Sequence, residues 1–238
     1  MKFIYNCAAI LHKGALIIGD THLGMENKLR ERGIYDRSFS SRVADSIIEL
    51  IEEHKAKKLI LLGDVKENIL LLDYQTRTQL EKISKHAEII VVRGNHDGGI
   101  ESSNCIKIVP SDGFKYYGLG LIHGHSWPKE EIMKCKFLIM AHQHPLISIK
   151  DSLGKVHSEP AWIVADIDVK NAEKHYKKVN KNMRLVLIPA YNPLVGTTIN
   201  STKKEQFGPI LNNKLFKLEE AKVIRLNGIN LGTISNIE

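Results

Sequence analysis

Aromatic residues make up only 6% of this 238-residue chain, and it has just three cysteines and seven prolines. So few rings leave Ile, Leu and Val to build the core. Cys7, Cys105 and Cys135 lie far apart and match neither a zinc nor a disulfide spacing, which argues against a thiolate metal site or a disulfide-stapled scaffold. No apolar run approaches the ~20 residues needed to cross a bilayer. The opening "MKFIYNCAAIL" has Lys2 and a short apolar run, but "HKG" stands where a small-residue cleavage site would lie. It is expected to be a strand, and the protein cytoplasmic without membrane contact. Repeats and low-complexity tracts are missing as well, and the length suits one domain spanning 1–238.

Charge of one sign is in modest excess. The 34 Lys+Arg against 27 Asp+Glu give a net +7, which favours acidic and phosphorylated partners but by itself describes solubility and association. Hydrophobic residues at 43% are ordinary for a globular protein.

The first half alternates strands with helices. "ALIIG", "KLILLG" and "EIIVV" are short continuous apolar runs, as expected of strands buried on both faces. Between them, residues 41–54 place Val43, Ile47, Ile48, Leu50 and Ile51 on one helical stripe, with Ser40 or Ser41 as candidate caps. A second helix is expected near 73–86. This order implies right-handed βαβ units and an α/β fold with a largely parallel core. After Gly98, "IKIVP", "FKYYG" and "LGLIHG" crowd together and suggest a second sheet with antiparallel members. "PKEEIMKC" reads as a short helix, "FLIMA" and "RLVLIPAY" as strands, and "AKVIRLNG" with "NLGTIS" as a hairpin.

Five of the apolar runs end in groups able to bind metal: "ALIIGDTH", "LILLGDVKE", "EIIVVRGNHD", "LGLIHGH" and "FLIMAHQH". In open α/β sheets, loops beyond the strands' carboxyl ends converge on ligands. Asp20, His22, Asp64, Asn95, His123, His142 and His144 would therefore meet in one pocket. Their mixed oxygen and nitrogen donors suit divalent cations, manganese foremost, with Fe, Zn, Ni, Co or Mg as alternatives. Seven donors are too many for one ion and fit two that share Asp64, whose carboxylate has two oxygens. Such a pair can polarise a phosphoryl oxygen and activate water for in-line attack. Gly19, Gly63 and Gly94 are expected to let the backbone approach closely.

His96 follows Asn95 and is expected to point at substrate, donating a proton or stabilising a phosphoryl oxygen, with Asp97 orienting it. His125 shares a strand face with His123, so either could face the ions; His123, nearer the strand end, is preferred. Arg30 in "ENKLRERG" is a candidate phosphate fork. Lys170, Lys174, Lys177, Lys178 and Lys181 would align on one face of a helix over 170–184. No aromatic or glycine platform accompanies them, so a solvated face is the expectation.

The order Asp-x-His, Gly-Asp, Gly-Asn-His-Asp, His and His-x-His resembles the calcineurin-like metallophosphoesterase superfamily over about residues 19–144. "GDTHLGMENKLRERG", "GDVKEN", "LIHGHSWP", "AHQHP" and, more loosely, "LVLIPAYNPLVGTTIN" are similar to archaeal SbcD-related and ligase-associated phosphoesterases. The resemblance implies two facing mixed sheets flanked by helices. It places one metal on Asp20, His22, Asp64 and His144, and a second on Asp64, Asn95, His123 and His142. It implies a dinuclear phosphodiesterase acting on phosphate esters, with an SbcD-like nuclease acting on nucleic acid, or a non-catalytic protein-binding scaffold, as alternatives. Two positions depart from the pattern: Ala141 stands where Gly is usual, and Glu67 where His is frequent. The stretch after these motifs is expected to be too short for the extra DNA-binding domains of the nucleases.

Overall fold

The computed structural model describes residues 1–150, 153–198 and 208–236; the last two residues of "LVLIPAYNPLVGTTIN" lie outside them. The chain opens with β1 (Lys2–Phe3), β2 (Ile10–His12) and β3 (Ala15–Ile18), then α1 (Glu26–Glu31) and α2 (Phe39–Glu53). Next come β4 (Lys58–Leu61), α3 (Tyr74–Ser84), β5 (Glu88–Val92) and β6 (Ile106–Val109). These six strands form one sheet in the order β1-β2-β3-β4-β5-β6, parallel from β3 to β6. "IKIVP" therefore closes the edge of the first sheet as β6 instead of opening the second, because its apolar residues pair in register with β5.

The second sheet holds β7 (Phe114–Tyr116), β8 (Leu119–Ile122), β9 (Phe137–Met140), β10 (Pro145–Lys150) and β11 (Val156–Asp166). After α4 (Val169–Ala172) it gains β12 (Arg184–Leu187) and β13 (Thr197–Thr198); after α5 (Pro209–Asn212) it gains β14 (Lys222–Arg225) and β15 (Asn230–Thr233). The order runs β13-β10-β11-β12-β9-β8-β7, with the β14–β15 hairpin joined to β11. Strands β8, β9 and β12 are mutually parallel.

Side-chain alternation builds the layers. Ile17, Ile60 and Ile90 face Leu121, Ile139 and Val186 between the sheets. Leu16, Ile18, Leu59 and Leu61 face the opposite way, onto Ile47, Leu80 and Ile83 of α2 and α3. The outer face of the second sheet carries Leu138, Met140, Ile163 and Leu185 under Ile210 and Phe216. Its helical cover is thin. "PKEEIMKC" contributes only a single 3₁₀ turn at Ile132–Lys134, and the helix expected over 170–184 is confined to α4.

Both long helices start with an acidic side chain. Asp73 accepts from the Thr76 N–H at 2.8 Å to cap α3. At α2 neither candidate serine caps: the buried Glu26 carboxylate accepts from both the N–H and the hydroxyl of Ser40, at 2.7 and 2.6 Å. A carboxylate at a helix N-terminus also complements the macrodipole. No helix among the described residues is long and apolar enough to cross a membrane.

Candidate metal centre

The carboxyl ends of β3, β4 and β5 in one sheet and of β8 and β9 in the other open onto a single cleft, and the seven candidate donors follow those five strands. Asp20, His22, Asp64 and His144 bring one ligand atom each to within 4.8 Å of one another, as do Asp64, His123 and His142. Asp64 belongs to both groups. Asn95 joins the second, its Oδ1 standing 3.0 Å from His123 Nε2.

The backbone is bent to achieve this. Asp20, His22, Asp64, His142 and His144 have φ of 55°, 43°, 49°, 71° and 45°, the left-handed region that non-glycine residues seldom enter. Each such residue costs of order 1–3 kcal/mol and persists only where its surroundings hold it. Here the loops grip one another. Asp20 N–H and His22 N–H donate to the carbonyls of Gly63 and Asp64, and Leu23 N–H to that of Val65. Close approach also needs glycine at two points. A Cβ on Gly63 would lie 2.6 Å from the His123 ring, and one on Gly94 would lie 2.2 Å from the Asp64 backbone nitrogen.

Hydrogen bonding fixes which ring nitrogens face inward. His123 Nδ1 donates to the Leu62 carbonyl at 2.7 Å, so Nε2 turns toward Asp64 Oδ1 at 3.3 Å, Asn95 Oδ1 and His142 Nδ1 at 3.1 Å. His22 Nδ1 donates to Glu67 Oε2 at 2.9 Å, leaving buried Nε2 without a hydrogen-bond partner, 3.9 Å from Asp64 Oδ2. His144 Nε2 is likewise unbonded, 3.1 Å from Asp20 Oδ1. Lone pairs converging in a buried cleft repel unless a cation stands between them. These donors fit the divalent metals that their chemistry implies.

Electrostatics carries the same message. Burial would push the Asp20 and Asp64 carboxyls up, but the neighbouring histidines hold both below the ordinary range. Burial would lower His123, yet Asp64 lifts it to about 9; burial and the charge on His123 depress His142 to about 4.

Two expectations need revision, those for Asp97 and for the lysine segment. Asp97 does not orient the His96 ring: it is fully buried, and its two oxygens accept the Val65 and Gly94 N–H groups at 2.9 and 2.7 Å, pinning the β4 loop to the β5 loop. His96 is held by other groups. Its N–H donates to Asp64 Oδ1 at 2.9 Å, its Nδ1 to the Glu67 carbonyl at 3.2 Å, and its own carbonyl accepts from buried Lys66 at 2.7 Å. Arg30 is exposed on α1, whereas Lys28 of the same helix reaches the site's edge through Glu67. The lysines of 170–181 do not share a helical face, since α4 ends at Ala172. His125 stands beside the second group, its ring centroid 5.2 Å from that of His123.

Of two supporting residues, the sequence reading marked Glu67 only as a departure from the family pattern and missed Asn192. Glu67 holds His22 and Lys28 together, burial being outweighed by these partners so that its carboxyl falls to about 2. Asn192, fully buried, donates to the Thr21 carbonyl at 3.1 Å. Its signal was the "NP" pair directly after the apolar run "RLVLIPAY". Ala141, in place of the usual glycine, is accommodated by Gly19, on which a Cβ would come within 2.7 Å of the Ala141 methyl.

Comparison with solved structures finds a likeness to the Pseudomonas putida nuclease MPE, with a TM-score of 0.62 and 18% identity, covering 94% of this chain and 93% of that one. YfcE, a phosphoesterase from E. coli, aligns with a TM-score of 0.44 and 14% identity over 94% of this chain and 99% of that one. At such identities the nuclease shares a fold with this chain and nothing finer. Comparison with curated protein sequences gives no match. The calcineurin-like phosphoesterase profile, however, matches residues 15–170, from β3 into α4, which is well over half of the sequence and takes in every strand that leads to the cleft. The two facing mixed sheets are the sandwich of that group, and the chain belongs to the calcineurin-like phosphoesterase family, whose members are metal-dependent hydrolases.

Proposed function

We propose that this protein hydrolyses phosphodiesters with two divalent cations. One is held by Asp20, His22, Asp64 and His144, the other by Asp64, Asn95, His123 and His142. The observation that carries the reading is the shared carboxylate: Asp64 belongs to both groups of converging donors. When bound, the cations supply Lewis acidity toward a phosphoryl oxygen and a nucleophile usable near neutral pH.

The chain's own groups do the rest. His96 Nδ1 is committed to the Glu67 carbonyl, so Nε2 is the atom that holds a proton for the departing oxygen. One contact from the β4 loop holds that ring and two hold its backbone before substrate arrives, and preorganisation of this kind is what orientation contributes to rate. Glu67 orients His22 from behind, as a carboxylate partner does for a ligating imidazole. The folding unit is read as the whole chain, 1–238, because Asn192 and β12 complete the cleft and the second sheet beyond the matched segment.

The test is turnover of a small chromogenic phosphodiester, beside a monoester, with Mn, Ni, Zn and Mg in turn and manganese first, together with metal analysis of the purified protein. We expect about two ions per chain and activity on the diester. His96→Ala is expected to keep both ions and to lower turnover by ~10²-fold or more. Wild-type turnover in that variant removes His96 from the mechanism; a protein without stoichiometric metal is a scaffold.

A further inference from the structure

The segment holding the lysines is strapped to the loop that leaves the metal centre. Tyr176 Oη donates to the Pro128 carbonyl at 2.8 Å, Asn180 N–H to that of Met133 at 2.8 Å, and Asn180 Nδ2 to that of Cys135 at 3.1 Å. This brings the exposed His175 ring against Trp127, with centroids 4.7 Å apart and planes inclined by 32°. Trp127 is 41% exposed. An aromatic platform thus accompanies the lysines after all, contributed by a distant part of the chain, which is why the sequence pattern missed it.

Charge and position both matter here. Residues 170–181 contain five lysines and one acidic residue, Glu173. Lys181 lies 3.5 Å from Glu173 and Lys174 donates to Asn171, while Lys177 and Lys178 extend exposed beside His175. The acidic Glu130 and Glu131 nearby sit against Lys134 and Lys129. Trp127 follows His125 by two residues, a reach of at most about 7 Å along the backbone, and the His125 ring stands 5.2 Å from that of His123. A flat aromatic face flanked by cations suits a polyanion carrying stackable rings. Base faces are free for such stacking only where the strand is unpaired.

We propose that Trp127, His175 and the adjoining lysines form a docking surface for an unpaired nucleic-acid strand and lead its backbone toward the metal centre. The delivery step rests on the phosphoesterase reading; the binding does not. Stacking on Trp127 contributes base contact without sequence preference, and Lys177 and Lys178 contribute phosphate contacts.

The chain offers its own reporter, because it has two tryptophans and the other, Trp162, is only 2% exposed. Full-length protein in chelator is titrated with a short oligothymidylate, following tryptophan fluorescence and the anisotropy of a labelled strand. We expect saturable quenching that vanishes in Trp127→Phe, and affinity about tenfold or more weaker in Trp127→Ala. Lys177→Ala/Lys178→Ala is expected to reduce the magnitude of the log–log salt slope by about 1.4, at ~0.7 per phosphate contact on a single strand. These two lysines are exposed, so that variant carries the test should Trp127→Ala fold poorly. Binding without quenching, affinity unchanged in both variants, a duplex bound as tightly as the single strand, or equal competition by polyglutamate overturns the proposal. Turnover of the small diester is measured on the same preparation with manganese. Turnover without oligonucleotide binding removes the docking surface alone, whereas binding without turnover removes the hydrolytic reading and leaves the surface standing.

Discussion

Asp97 shows how a residue can sit inside a catalytic motif and act through the backbone. Both of its oxygens accept N–H groups from different loops, and burial, reinforced by the charge on Asp64, raises its carboxyl. In Asp97→Asn an amide N–H₂ would face an N–H donor, leaving a buried group unsatisfied at about 1–3 kcal/mol. Expected is a lower urea midpoint with weaker metal retention, and an unchanged pH optimum for whatever activity remains; a shifted optimum at full stability would return Asp97 to proton transfer. Ala141 and Gly19 make a second case. Gly19→Ala places two methyl carbons 2.7 Å apart, an overpacking expected to cost about 1–3 kcal/mol. Since Gly19 has no positive φ, Gly19→Ala/Ala141→Gly should recover most of the loss in thermal melting, as coupled neighbours do. Equal destabilisation in the single and double variants would mean that the methyl contact is not the cause. At this scale the convergence of the seven candidate donors was legible because each follows an apolar run that ends at the same side of its sheet. Glu67 was legible only as a departure from the family pattern, and Lys66 and Asn192 not at all, because their work is done on partners up to 171 positions away.

Elements were legible where one periodicity dominates. The stripe of α2 and the continuous runs of β3, β4 and β5 formed as expected, because both faces of those strands are covered. The failures came where short segments depend on neighbours. β6 has the same local texture as β7, and only pairing with β5 assigns it to the first sheet. The lysine segment has helical spacing, but its tyrosine and asparagine bond to the loop before β9, ending α4 after one turn. Pairing also carries a pH dependence at one edge. Glu88 of β5 bonds Lys107 of β6 at 2.6 Å and Lys58 of β4, and these partners lower its carboxyl from 4.5 to about 2. A depressed carboxyl stabilises the fold above its unfolded value, so the contribution is complete above about 4.5 and fades as pH falls toward about 2. Being partly exposed and screened, it is small. Melting of Glu88→Gln should fall slightly below wild type at neutral pH and converge with it near pH 2; a gap constant across that window would rule out the ion pairs as its source.

Across the whole molecule, the cleft exists because two sheets present their strand ends on the same side. Neither sheet alone holds a complete donor set: His22 and Asp64 come from the first, His123, His142 and His144 from the second, and Asp64 faces both. Binding cations there links sheet association to metal concentration, since a ligand bound only by the folded state stabilises it by RT ln(1 + [L]/Kd), about 2.7 kcal/mol at one hundred times Kd. Melting temperature should therefore rise with added manganese and fall on chelation. Asp64→Asn should reduce the metal-dependent shift more than His142→Ala does, because both donor groups lose the shared carboxylate's charge and its second oxygen, whereas His142→Ala leaves the group of Asp20, His22, Asp64 and His144 intact. Equal residual shifts in the two variants, measured by calorimetry across a manganese series, would mean that Asp64 serves only one of the two positions and that the centre is built around a different bridge.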